Sequence, residues 1–491
     1  MNHKKSVVNN FIFNFIKTLS TLLFPIITFT YSAKILGVRG VGKVNFVRSI
    51  IAYFIMFALL GTNYYGTREV AKLHDNKNKL NKFVHEILLI NVITTILAYI
   101  VFYVCVWKVT RFQDYKILLL INSISIILQG MGMEWLYQGL EEYRYIAVRS
   151  MIFQVTALLL MVLFVKKPKD IFAYAIIYIF ATSGSYVLNF VHARKYISFY
   201  WIGHYNVKRH LRPLLWLFSV ILSIELYAVL DSTMLGFFKG DISVGKYTAA
   251  VKVNKMVNSL ITSLGVVMIP RISYYIELKQ IDRIKNILYK TYNFVFMLSV
   301  PACIGLFCLS KEIILIFSGE DFLSASTTMR IMTPIVLAAP FSVATNQQTF
   351  VPLGKEKLIL ISTCAGAITN IICNLILIPL YAENGAAIAT VLAEMMVAII
   401  CFCNIKRYFG MRNILSKYYQ YWVSGALIPI IVYLFRKLNI SYVIEAGLTI
   451  VCSILVYFVA LFLLKNPYLY EVILIIRGKI TKAKRRWKNN R

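Results

Sequence analysis

Lys17, Lys252 and Lys255 stand in stretches that are otherwise mostly apolar, Val8–Ala33 for the first and Tyr247–Ile269 for the other two. Asn10, Asn14, Lys17, Thr21, Thr28 and Ser32 follow at intervals of four, three, four, seven and four residues, which lays them along one stripe of an α-helix. Thr248, Lys252, Lys255, Ser259 and Thr262 repeat the device, and Asn122, Ser125, Gln129 and Gly132 make a weaker stripe. Ammonium groups so placed would attract a polyanion more strongly than in bulk water, because the local dielectric is lower. The alternative is that they snorkel to an interface or pair with a neighbouring acid. Arg48, near the outer end of Val44–Tyr65, reads equally as the rim of a cationic site or as a helix flank. Asn14, Lys17, Arg48, Lys252 and Lys255 are therefore the candidate anion-binding residues.

The acids in apolar runs are fewer. Glu225 and Asp231 lie on Leu211–Phe238, six residues and about 120° apart on an ideal helix, so they do not share a face. A carboxylate held in a membrane exchanges protons near neutral pH, and either residue could couple transport to H⁺ or Na⁺. Asp231 could instead pair with Lys252 or Lys255. No cofactor site is expected. The pair Cys401 and Cys403 has no partner His or Cys at metal-ligand spacing, and no Gly-rich phosphate loop ends in Lys-Ser/Thr.

These residues need elements that hold them away from water. The chain has 491 residues, 59% of them hydrophobic and only 15% charged. A soluble domain carries roughly 25% charged residues, so the composition is that of an all-α polytopic membrane protein. About fourteen stretches approach the length of roughly 20 apolar residues that crosses a bilayer. They are Val8–Ala33, Val44–Tyr65, Phe83–Trp107, Tyr115–Leu140, Tyr145–Val165, Ile171–Val191, Leu211–Phe238, Tyr247–Ile269, Ile287–Leu309, Ile331–Pro352, Leu358–Leu380, Gly385–Ile405, Tyr418–Phe435 and Tyr442–Leu464. The net charge of +32 then reads as topology and headgroup contact with membrane lipids, not as nucleic-acid binding. With the N-terminus cytoplasmic, Lys and Arg favour the inner connections and ends by about two to one, so both termini are predicted inside. The outer connections are short, the longest being Ser310–Arg330, which leaves no room for the extramembrane domain of an embedded glycosyltransferase.

The chain also matches itself. Leu36-Gly37 and Val41-Gly42-Lys43 correspond to Leu235-Gly236 and Val244-Gly245-Lys246, and Gly139-Leu140-Glu141 to Gly354-Lys355-Glu356, both at a shift of six spans. An even shift keeps two copies in one orientation, related by a pseudo-twofold axis along the membrane normal. This predicts an N-terminal lobe over 1–205, a C-terminal lobe over 206–410, two further spans over 411–465 and a basic cytoplasmic tail over 466–491.

The run from Ala33 to Phe46, the segment from Gly61 to Lys72, and Asp231 with Leu235-Gly236, Val244-Gly245-Lys246-Tyr247 and Pro270-Arg271 resemble the bacterial polysaccharide flippases. These are the O-antigen and capsule repeat-unit transporters of the multidrug/oligosaccharidyl-lipid/polysaccharide exporter superfamily. The resemblance implies fourteen helices in two lobes. It also implies a transporter, not an enzyme, in the bacterial cytoplasmic membrane. Its substrate would be a polyprenyl-pyrophosphate-linked oligosaccharide, moved outward by alternating access, with a polysaccharide polymerase and a chain-length regulator as expected partners. A lipid II flippase and an ion-coupled multidrug exporter of the same superfamily are the alternatives. The exporter would need an acidic site for cationic drugs, against which the three lysines argue.

Overall fold

The computed structural model describes residues 7–200, 203, 205–263, 269–278, 280–410, 418–438 and 440–474. All the regular structure among them is helical. Two compact units are formed. The first comprises Met1–Ala249, Phe317–Phe322 and Ile371–Ala386, and the second comprises Ala250–Ile316, Leu323–Asn370 and Ala387–Arg491.

The first unit contains α1 (Val7–Leu59), α2 (Thr62–Leu73), α3 (Lys77–Lys108), α4 (Lys116–Gly130), α5 (Tyr143–Phe164), α6 (Ile171–Ser183), α7 (Lys208–Phe238) and the start of α8 (Asp241–Ser263). Helix α1 packs against α3, α4, α5 and α7. Helix α3 shows why these sequences fold in lipid. Ile93, Ile96, Leu97, Ile100, Val101 and Val104 form an exposed apolar face. Ile90, Asn91, Thr94, Thr95, Ala98 and Phe102 are buried on the other. The polar groups are inside and the aliphatic ones outside, the reverse of a helix in water, and all main-chain donors and acceptors of the interior are met within the helix. Its 32 residues span about 48 Å, more than the hydrocarbon core requires.

Helix α1 is two helices joined at Gly37, whose φ of 65° and ψ of 179° suit a residue without a side chain. The second limb, 38–59, then crosses the first turns of α8. A Cβ on Gly42 would lie 1.8 Å from the carbonyl oxygen of Asp241, and one on Gly245 would lie 2.2 Å from that of Val38. Gly42 and Gly245 are the two glycines matched by the internal comparison, and they meet at this crossing.

The second unit holds the rest of α8, α9 (Ile281–Cys308), α10 (Ile335–Thr345), most of α11 (Glu356–Phe409), α12 (Tyr419–Gly425), α13 (Ile428–Arg436) and α14 (Tyr442–Leu463). Helix α9 is its centre, contacting α10, α12 and α13. Helix α14 buries Ala446, Thr449, Ser453, Tyr457 and Leu461, and the Tyr457 hydroxyl donates to the Met297 carbonyl at 2.9 Å. Helix α11, like α1, is interrupted, here at Ala382 (φ 48°, ψ −128°).

Every one of the fourteen apolar stretches falls largely on helix, but the spans are less regular than their count suggests. Among the described residues eight helices are long and apolar enough to cross a membrane, or nine if Ala325–Met332 and Ile335–Phe350, bent by 42°, are one span. Long helices fused across Gly37 and Ala382 and the short α12 and α13 account for part of the difference, and Leu211–Phe238 and Tyr247–Ile269 contain positions that are not fully described.

Candidate functional site

Arg48 lies on the second limb of α1, two turns from the Gly42 crossing. Its guanidinium carbon is 3.6 Å from the ring centre of Tyr178 on α6, and its Nη2 donates to the Tyr178 hydroxyl. The guanidinium is half-buried, and its Nη1 is buried with no hydrogen-bond partner. Among the described residues no carboxylate pairs with it. A cation held in a membrane-spanning helix is costly, which makes Arg48 a candidate functional residue.

Several other charges of this unit have partners of opposite charge. Glu86 is fully buried and accepts from the backbone N–H of Asn206 at 2.8 Å and from Arg209 Nη2 at 2.5 Å. His210 Nε2 lies 2.8 Å from the same carboxylate, and His210 Nδ1 meets the Tyr65 hydroxyl at 2.8 Å. Arg149, also buried, donates to Asn189 Oδ1 and lies 3.6 Å from Glu134. Lys246 pairs with Glu383 at 3.1 Å. Sequence scanning missed Glu86 and Arg149 and left Glu134 without a role. The signal was present, since each is a charge inside an apolar stretch or at its edge.

Asp231 is buried on α7. Its Oδ2 accepts from the Tyr247 hydroxyl of α8, and its Oδ1 accepts from Asn374 Nδ2 of the 371–386 segment at 2.5 Å. Thr233, two residues on, donates to Ser49 on α1 at 2.9 Å. Tyr247 of the next helix and Asn374, 143 residues away, thus meet on one carboxylate, and of these residues only Asp231 and Tyr247 were singled out beforehand.

Lys252 and Lys255 belong to the second unit, Lys252 half-buried and Lys255 exposed. Asn14, Lys17 and Glu225 lie outside the residues whose side chains are described, as does the basic tail Arg477–Arg491. No group of three or more His, Cys, Asp or Glu able to hold a metal ion occurs among the described residues, and all eight cysteines are free.

The profile of the family described as "Polysaccharide biosynthesis protein" matches residues 7–276, more than half of the chain. The chain belongs to this family. A second profile, MatE, matches residues 217–376. A protein of Escherichia coli (strain K12) named "Putative O-antigen transporter" is 23% identical over 402 residues, covering 80% of this chain and 95% of that one. A "Probable low-salt glycan biosynthesis flippase Agl15" of Haloferax volcanii is 25% identical over 178 residues, covering 36% and 38%. Among solved structures, "Lipid II flippase MurJ, inward closed conformation" superposes with a TM-score of 0.76 at 17% identity, over 94% of this chain and all of that one. A multidrug resistance MATE family transporter in an inward-facing conformation gives 0.62 at 12% identity, over 82% and 98%. The polysaccharide biosynthesis family thus sets this multi-pass membrane protein among transporters of the exporter superfamily, not among enzymes, in agreement with the resemblance of its motifs.

Proposed function

We propose that this protein is a flippase that carries polyprenyl-pyrophosphate-linked oligosaccharide repeat units from the inner to the outer leaflet of the bacterial cytoplasmic membrane. The observation that carries this reading is Arg48, a guanidinium without an acidic partner on a membrane-spanning helix. A pyrophosphate offers such a group charge-assisted hydrogen bonds, which are stronger than neutral ones. Asn14, Lys17, Lys252 and Lys255, the other polar and cationic residues that the sequence sets in apolar stretches, are further candidates for headgroup contact, while the polyprenyl tail stays in lipid. The names of the relatives, an O-antigen transporter and a glycan flippase, support the same substrate class. No nucleotide site supplies energy, so an H⁺ or Na⁺ gradient drives the cycle, with Asp231 and Glu225 as the coupling carboxylates. Both termini face the cytoplasm, as the Lys and Arg distribution requires.

The test is transbilayer movement in proteoliposomes. A labelled undecaprenyl-pyrophosphate oligosaccharide is supplied, and an impermeant reagent reports its leaflet. Wild-type protein should move it in the presence of an ion gradient, and Arg48→Ala or the pair Lys17→Ala with Lys252→Ala should slow movement about tenfold or more while the protein stays folded. Movement of lipid II in preference to the oligosaccharide would replace the substrate. Movement of neither, with cationic drugs carried instead, would end the reading.

A further inference from the structure

We infer that Tyr178 is a positioning residue for the anion-binding group of Arg48. The inference rests on the reading that Arg48 meets the pyrophosphate. Tyr178 sits one turn beyond the buried Tyr174 on α6, with the two ring centres 6.2 Å apart, so both phenols stand on the face that Arg48 meets. The guanidinium carbon of Arg48 lies over the Tyr178 ring, 3.6 Å from its centre, and Nη2 donates to the Tyr178 hydroxyl. Stacking acts on the face of the guanidinium, and its donors point out along the edge, so a planar cation can be held by an aromatic ring without using the fork that recognises phosphate. Nη1 is the unspent part of that fork.

A flexible arginine would lose rotamer freedom on taking an anion. One already fixed on a ring loses less, and the saving appears as affinity. The ring also supplies the counter-potential that a carboxylate would otherwise give. A carboxylate would neutralise Arg48 and compete with a phosphate, whereas a tyrosine stabilises the cation and leaves it its charge. The other buried arginine of this unit, Arg149, has Glu134 beside it. Arg48, in contrast, is stabilised by an aromatic ring.

The experiment measures the concentration of fluorescent undecaprenyl-pyrophosphate trisaccharide at half-maximal binding and at half-maximal flipping, in full-length protein reconstituted in liposomes. Tyr178→Phe keeps the ring and loses the acceptor, and should raise both about threefold. Tyr178→Leu loses both and should raise them about tenfold. In the Arg48→Ala background Tyr178→Leu should add nothing, because residues that act through one another do not add. Additive losses would mean an independent packing role and overturn the inference. So would tighter binding in either Tyr178 variant, which would make Tyr178 a competitor of the ligand. If Arg48→Ala binds less and the Tyr178 variants bind normally, the inference fails and the proposed function stands. If Arg48→Ala binds normally, the assignment of Arg48 itself fails. Should Tyr178→Leu not fold, as judged by its thermal transition, Tyr178→Phe alone decides.

Discussion

At the scale of single residues, the proposed function turns on which charges have a partner of opposite charge. Glu86, Arg149 and Lys246 are each answered by a group of opposite charge, and removing one partner would strand the other in a low-dielectric interior at a cost of several kcal/mol. Asp231 accepts from the hydroxyl of Tyr247 and the amide of Asn374. An ionisable carboxylate within the membrane-spanning region is a candidate for the coupling site, the role proposed above for Asp231. Asp231→Asn preserves shape and removes the charge. In proteoliposomes it should lose the stimulation of flipping by an imposed ion gradient, about tenfold at saturating gradient, while equilibrium binding of the lipid-linked oligosaccharide stays within about twofold of wild type. Stimulation that persists in this variant would move the coupling site elsewhere, with Glu225 next to be tested. Arg48 and Asp231 were legible in the sequence because an ionisable residue in an apolar run announces itself. Their surroundings were not. Tyr178 is 130 residues from Arg48, and Asn374 is 143 residues from Asp231. Tyrosine and asparagine in a membrane segment are too common to be picked out without the fold.

At the scale of elements, hydrophobic run length located the helices and could not show how they are broken. A window that averages about 20 residues does not register one residue of unusual backbone conformation. The spans it gave on either side of Gly37 and Ala382 match the limbs of two kinked helices, but the breaking residue itself is invisible in the average. It also passed over Glu86 and Arg149, because one charge hardly lowers the mean of a long apolar stretch. The two breaks make opposite predictions. Gly37 has the backbone angles that only glycine adopts at little cost, so Gly37→Ala should destabilise the protein by about 1–3 kcal/mol. Ala382 pays a similar strain already, and Ala382→Gly should raise the melting temperature in detergent by about 2–4 °C, less whatever the unfolded chain gains in entropy. A fall in melting temperature for Ala382→Gly would mean that the Ala382 conformation is not strained. The crossing at Gly42 and Gly245 is a third constraint of this kind. Gly42→Ala places a methyl group against the Asp241 carbonyl, so this variant should lose flipping by the separation of the two helices even if it inserts normally.

At the scale of the whole molecule, the excess of positive charge and the orientation in the membrane are one question. A net charge of +32 on a chain with only 21 acids is tolerable in a bilayer only if most of the cations lie outside the hydrocarbon, where water and anionic headgroups meet them. Their uneven distribution then selects an orientation, because cationic loops are retained on the cytoplasmic side. Two exposed positions separate the alternatives. Asp75 lies in the connection between α2 and α3, flanked by Lys72 at the end of α2 and Lys77 and Lys79 at the start of α3, and it should be cytoplasmic. Lys169 lies between α5 and α6 and should be outside, although Lys166 and Lys167 accompany it. This second loop is the informative one, since three lysines in six residues run against the trend and only the alternation of spans places them outside. The eight free cysteines permit a cysteine-less background, in which Asp75→Cys and Lys169→Cys are introduced singly. An impermeant maleimide applied to intact spheroplasts should label Lys169→Cys at once and Asp75→Cys only after lysis. The inverse pattern would reverse the orientation, and with it the direction assigned to transport. Labelling of both from one side would show that an even number of crossings separates the two loops, in place of the three that α3, α4 and α5 provide.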